Sequence, residues 1–179
     1  NQNIAARMKG GGEQPATYAR WLSLFDDANA GRVRTLRLAS ANFLIKPLIS
    51  IIMPVYNPPE QWLRCALDSV LKQYYENWEL CIADDCSTEP HVQRVLTEYS
   101  QKDGRIKSVR HASNQHISAT SNSALELAGG EYIALLDHDD ELSADALLWV
   151  VNEINLYPDA ALIYSDEDKI TEGGVRQEP

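Results

Sequence analysis

The sequence predicts an α/β protein: a Rossmann-like, mostly parallel sheet with helices on both faces, preceded by a short helical segment. Three observations carry this expectation. Between Leu48 and Asp166, short apolar runs rich in β-branched residues alternate with stretches whose apolar residues recur at helical spacing. The strand–turn–helix unit recurs at a spacing that suits a mostly parallel sheet. Two of the apolar runs empty into paired carboxylates, on the edge where open α/β sheets bind ligands.

Taken in order, Leu48 to Met53 reads as a buried strand stopped by Pro54. Asn57-Pro58-Pro59 resembles a helix start, and Leu63, Ala66, Leu67, Val70 and Leu71 follow on one helical face. Trp78 to Ala83 is a second strand, and Val92, Val95, Leu96 and Tyr99 mark the helix after it. Arg105 to Val109 is a short third strand. A helix from about Ile117 to Ala128 is ended by Gly129-Gly130. Tyr132 to Leu136 is a fourth strand. Its helix is capped by Ser143 and buries Leu147, Val150, Val151 and Ile154, and Ala160 to Tyr164 is a fifth strand.

Residues 1–47 differ and form a separate N-terminal helical extension to the sheet domain of residues 48–179. Tyr18, Trp21, Leu22 and Phe25 share a helical face, and a second helix spans about Val33 to Ala39. Packing of that apolar face against the sheet domain is the simpler expectation. A partner surface, or peripheral contact with a membrane through Arg32, Arg34 and Arg37, is the competing one.

Composition narrows the class. With 44% hydrophobic and 23% charged residues the chain is ordinary for a globular protein. No apolar run approaches the roughly 18 residues that span a bilayer, and no secretory signal is visible, so a cytoplasmic location is expected. Cys65, Cys81 and Cys86 have no metal-ligand spacing and read as reduced thiols. The net charge of −10 disfavours nucleic acid. The charge is uneven: residues 1–47 carry 7 basic and 3 acidic side chains, whereas residues 131–179 carry 2 basic and 13 acidic ones. Acid gathered near one end points to a local cation site.

The polar clusters give that site a chemistry. Pro54-Val55-Tyr56-Asn57, Asp84-Asp85-Cys86-Ser87-Thr88 and Asp137-His138-Asp139-Asp140-Glu141 follow the first, second and fourth strands. Clustered like charges repel unless a cation or a donor-rich ligand neutralises them. Cleaving a sugar from a nucleoside diphosphate leaves negative charge on the leaving group, which a carboxylate-held divalent metal stabilises. In an extended segment Asp137 and Asp139 point the same way, one towards the ribose and one towards the metal, while alternation sends His138 away. Asp85 is placed to accept a base N–H.

These residues carry a family resemblance. The Ile-Ile-Met-Pro-Val-Tyr-Asn run, the Asp-Asp-Cys-Ser-Thr turn, Asn114 to Asn122, Gly130-Glu131-Tyr132-Ile133 and Leu136-Asp137-His138-Asp139-Asp140 occur in the order of the family 2 glycosyltransferases. Tyr164-Ser165-Asp166-Glu167-Asp168-Lys169 is similar to the subgroup of bacterial surface-polysaccharide assembly. Single motifs are weak here; the ordered set, covering about Leu48 to Ile170, is specific. The resemblance implies a glycosyltransferase-A fold, truncated here. It implies inverting transfer from a nucleotide-sugar donor to a glycan or lipid-linked glycan acceptor, with Mn2+ or Mg2+, at the inner face of the cell membrane. It assigns Pro54, Tyr56 and Asp85 to the base, Asn122 to the nucleotide pocket, Asp137 to the ribose or sugar and Asp139 to the metal. A general base is expected beyond residue 179, with Asp166 and Asp168 as weaker candidates, so the chain by itself should bind nucleotide without transferring sugar. The sequence departs from the family at His116, where many members have Gly, and at Ser121, where many have Arg.

Other readings are a nucleotide-sugar-binding module without turnover and a nucleotidyltransferase. The second lacks the Gly-rich phosphate loop after its first strand, where Tyr56-Asn57-Pro58-Pro59 stands instead. A haloacid-dehalogenase-type phosphotransferase would carry its Asp-x-Asp on the first strand. An EF-hand loop fails because Leu142 and Leu148 replace the Gly and Glu it needs.

Overall fold

The computed structural model describes residues 30–165, 167–171, 176 and 177. The expected helix of Tyr18, Trp21, Leu22 and Phe25 lies outside them. Residues 30–39 are helical (α1), followed by a 3-10 turn at Ser40–Asn42. Then come β1 (Ile49–Val55), α2 (Glu60–Leu71), β2 (Trp78–Asp84), α3 (Pro90–Lys102), β3 (Ile106–Arg110), α4 (His116–Leu125), β4 (Tyr132–Leu135) and α5 (Ala146–Leu156). The strands form one four-stranded parallel sheet of order β3-β2-β1-β4. The α/β, mostly parallel fold class read from the sequence is therefore the observed one.

Strand alternation divides the core between the two faces. Ile49, Ile51, Met53 and Val55 of β1 and Trp78, Leu80 and Ile82 of β2 pack with the apolar faces of α2, α3 and α5. Ile52, Cys81 and Ala83 point the other way, against Ala124, Leu127 and Ala128 in and after α4. Strands buried on both faces have no polar alternation, which is why β1 and β2 read as continuous apolar runs.

Two sequence expectations are corrected. Residues 160–164 form no strand: Leu162 and Tyr164 are 80% and 88% exposed. The propensity of an apolar run becomes a strand only beside a partner edge, and this run has none. β5 (Lys169–Ile170) and β6 (Arg176–Gln177) pair antiparallel with each other, outside the main sheet. Ser143 is not the cap of α5, which starts three residues later with Asp145 as N-cap. Buried Gln73 holds that start instead, its Oε1 accepting the Leu147 N–H at 3.1 Å while its amide donates to the Ser69 and Ser143 carbonyls.

Two compact units emerge, one of Leu36–Ile163 and one of residues 1–35 with 164–179. The first holds the sheet and its helices. In the second, Arg176 pairs with Asp168 beside the β5–β6 ladder. No helix among the described residues is long and apolar enough to cross a membrane.

Candidate functional site

The strand order fixes where a ligand can enter. The chain runs from β1 outward through β2 to β3, then returns to place β4 on the other side of β1. The strand order therefore reverses between β1 and β4, the place at which open α/β sheets form their ligand crevice beyond the carboxyl ends of the strands. Pairing of β1 with β2 continues to Val55 opposite Asp84, whereas pairing with β4 stops at Ile52 opposite Leu135.

Tyr56, Asp85, Asp137 and Asp139 follow strands on this one edge, and Pro54, expected to stop β1, lies within it opposite Ala83. Pro54 is half-buried and Tyr56 is 48% exposed. The main chain turns sharply at Asn57, whose φ of 48° lies in the left-handed region that Asn tolerates. Its side-chain oxygen accepts the N–H groups of Thr88 (2.8 Å) and Glu89 (3.2 Å), so the end of β1 holds the turn entering α3. Asn57 reads in the sequence as a helix start and as part of the polar cluster after β1; its hold on Thr88 and Glu89, 31 and 32 positions away, leaves no local signal.

Asp84 and Asp85 diverge, as alternation requires. Asp84 is buried; its Oδ1 accepts the Ser87 N–H at 2.9 Å. Its Oδ2 lies 3.2 Å from Arg110 Nε, an ion pair without an aligned hydrogen bond. Asp85, 3% exposed, accepts from Gln115 N (2.7 Å) and His111 Nδ1 (2.9 Å) on one oxygen and from His116 N (2.9 Å) on the other. Burial pushes this carboxyl up, but the Gln115 amide, His111, Thr120 and the His116 amide outweigh it and hold the group below its ordinary range. Asp85 thus caps α4, and any base it reads competes with these internal donors. His111 continues the chain of bonds to Ser123 Oγ at 2.9 Å. No sequence spacing announces His111 as this partner, because 26 positions separate it from Asp85.

Asn122 lies exposed on α4, away from the buried Thr120 and Ala124. Asp137 and Asp139 are exposed, and no hydrogen bond or ion pair among the described residues engages their carboxylates. His138 between them is half-buried and turns back to the Pro54 carbonyl, Nδ1 to O 3.2 Å. The segment is not the extended one expected: His138 and Asp139 stand in a turn closed by Asp140 N donating to the Asp137 carbonyl at 3.2 Å. Among the described residues no three His, Cys, Asp or Glu side chains gather into a metal shell. Of the two weaker base candidates, Asp166 lies outside the described residues and Asp168 is engaged by Arg176.

Three of the four helix starts on this edge have a side-chain acceptor from elsewhere in the fold, whereas α2, entered through Pro59, has no side-chain cap. Asn57 takes the amides entering α3, Asp85 those entering α4, and Gln73 one in the first turn of α5. Phosphate-binding helix termini need such N–H groups open. At the start of α2 no side chain takes that place. A surface hollow of about 330 Å3, lined by Arg37, Lys46, Tyr74 and Asn77 among others, lies instead by the segments that lead into β1 and β2.

Comparison with known proteins places the chain in a family. An uncharacterised protein, y4gI, of Sinorhizobium fredii is 57% identical over 73% of this chain and 14% of its own length. The O-antigen biosynthesis protein RfbC of Myxococcus xanthus is 34% identical over 92% of this chain and 13% of its own. The chain thus spans about one-seventh of these relatives. The crystal structure of S. aureus TarS in complex with UDP-GlcNAc superposes with a TM-score of 0.56 at 29% identity, over 62% of this chain and 32% of that one. The model of "Glycosyl transferase family 2" matches residues 50–176, nearly the whole sheet domain with its carboxyl-edge loops, and the chain belongs to that family.

Proposed function

We propose that these residues bind the nucleotide-sugar donor of a glycosyltransferase. The enzyme moves a sugar, with inversion, to a glycan or lipid-linked glycan acceptor in bacterial cell-surface polysaccharide assembly. The observation that carries the reading is the exposed pair Asp137 and Asp139 after β4, where the strand order reverses. RfbC, by its name, serves O-antigen biosynthesis, and TarS holds UDP-GlcNAc, which supports this donor and this setting.

The carboxylates fit a hard divalent cation, Mn2+ or Mg2+, which prefers oxygen ligands and keeps positions for phosphate and water. Asp139 would hold it, and its chemistry would be to offset charge on the departing diphosphate. Pro54 and Tyr56 frame the base from the end of β1, and Asp137 orients the ribose or sugar. Asn122 borders the nucleotide pocket from α4. Asp85 keeps the α4 wall of that pocket in place and offers the base a carboxylate only by releasing an internal donor. No residue here is assigned the role of general base, and the 179 residues alone are expected to bind nucleotide without turnover.

The test is Asp139→Ala, measured by calorimetric titration with nucleoside diphosphates in the presence and absence of Mn2+. Loss of the Mn2+-dependent part of the affinity by tenfold or more, with thermal stability nearly intact, is the expected result. Unchanged affinity with Mn2+ present would remove Asp139 from the metal site.

A further inference from the structure

We infer that His138 is a positioning residue that substitutes its side chain for a missing strand hydrogen bond and thereby holds the donor crevice open. The inference rests on the donor-site reading above, and it extends that reading to a residue with no contact to donor or metal.

In a parallel pair, successive hydrogen bonds in one direction recur every second residue along both strands. The last backbone bond from β4 to β1 runs from Leu136 N to the Ile52 carbonyl at 3.1 Å. Two residues on, a continued ladder would send His138 N to the Pro54 carbonyl. That carbonyl instead meets His138 Nδ1, at 3.2 Å. A carbonyl only accepts, so Nδ1 carries the proton and Nε2 is left without one in the neutral ring. The imidazole stands between the two main chains. Pro54 has no N–H to give the Leu136 carbonyl, so the ladder is already weakened where the imidazole takes the Pro54 carbonyl, and the next turn closes on itself through Asp140 N to the Asp137 carbonyl at 3.2 Å. Asp137 and Asp139, on either side of His138 in the chain, are left exposed. With a small side chain at 138, the ladder is free to close by one more backbone bond, which narrows the crevice and redirects both carboxylates.

The experiment compares the 179-residue chain with His138→Ala and His138→Asn, the latter keeping an amide N–H near the position of Nδ1. Affinity for UDP and GDP is titrated with and without Mn2+, alongside uridine and guanosine as probes of the base pocket alone. His138→Ala should lose at least tenfold in the Mn2+-dependent affinity while nucleoside affinity changes less than twofold, and His138→Asn should recover to within threefold of the parent. An equal loss for nucleosides and diphosphates, or wild-type behaviour of His138→Ala, overturns the inference. Should the parent chain itself show no Mn2+ dependence, the donor-site reading fails separately, and long-range 15N–1H spectra of the imidazole decide the spacer role. A ring protonated at Nδ1 supports it, and one protonated at Nε2 overturns it.

Discussion

At the scale of single residues, Asp85 and His116 explain each other. His116 stands where the family resemblance leads one to expect Gly, and its φ of 66° lies in the left-handed region. A non-Gly residue there costs on the order of 1 kcal/mol. Asp85 offsets that strain by accepting the His116 amide, and it takes Gln115 N and His111 as well. Replacing Asp85 by Asn would set one carbonyl oxygen and an NH2 group against these donors. We predict that Asp85→Asn destabilises the fold by about 2 kcal/mol, the range for a buried donor left unsatisfied. Urea unfolding measures this, and a variant as stable as the parent would show that Asp85 does not hold α4. The fate of nucleoside binding in the same variant separates holding from reading: pyrophosphate and nucleoside diphosphate weaken together if Asp85 only holds the wall.

At the scale of elements, the return from α4 into β4 is built around a buried carboxylate. Glu79 Oε1 accepts from Ser50 Oγ (2.6 Å) and Gly129 N (2.5 Å), while Lys107 Nζ donates to its other oxygen at 2.6 Å. Gly130 N then donates to Ser50 Oγ at 2.9 Å. A Cβ at Gly130 would meet the Leu48 carbonyl oxygen at 2.5 Å, so the sequence's Gly-Gly stop also serves a close backbone approach. Burial pushes the Glu79 carboxyl up, but the Gly129 amide, Lys107 and Ser50 outweigh it and bring it down to about 2. A folded value below the unfolded one means that this group's stabilisation is present above about pH 4.5 and is lost as pH falls towards 2. The difference of about 2.5 units corresponds to about 3 kcal/mol. Glu79→Gln should therefore be less stable than the parent at pH 7, with the gap shrinking steadily between pH 4.5 and 2. Parallel stability profiles for the two proteins across that range would refute the assignment.

At the scale of the whole molecule, the parallel order β3-β2-β1-β4 gathers four strand ends on one edge, three of them carrying the polar clusters, and reverses direction between β1 and β4. A ligand that binds there and not to the unfolded chain stabilises the fold by mass action. At a hundredfold excess over Kd this is about 2.7 kcal/mol, which for a domain of this size is a rise in Tm of about 5–10 °C. We expect that rise with a nucleoside diphosphate and Mn2+ together, reversed by EDTA. Differential scanning fluorimetry over UDP, GDP and dTDP tests it. The absence of a Mn2+-linked shift with all three would argue against a metal–diphosphate site at this edge.

The sequence by itself determined the strands and helices of the sheet domain, because each buries an apolar run or face whose period is local. β1, β2 and β4 begin within one residue of where their apolar runs predict. Tertiary structure decided what depends on partners distant in the chain. Residues 160–164 have strand-like composition yet pair with nothing, since a strand exists only against another edge. Gln73, not Ser143, supports the start of α5 because its amide reaches that helix from 74 positions away. Asp85 looked open to a ligand in a loop of small polar residues. Only the folded chain brings His111, Gln115 and His116 onto it, since donors 26 to 31 positions away leave no periodic trace in the sequence.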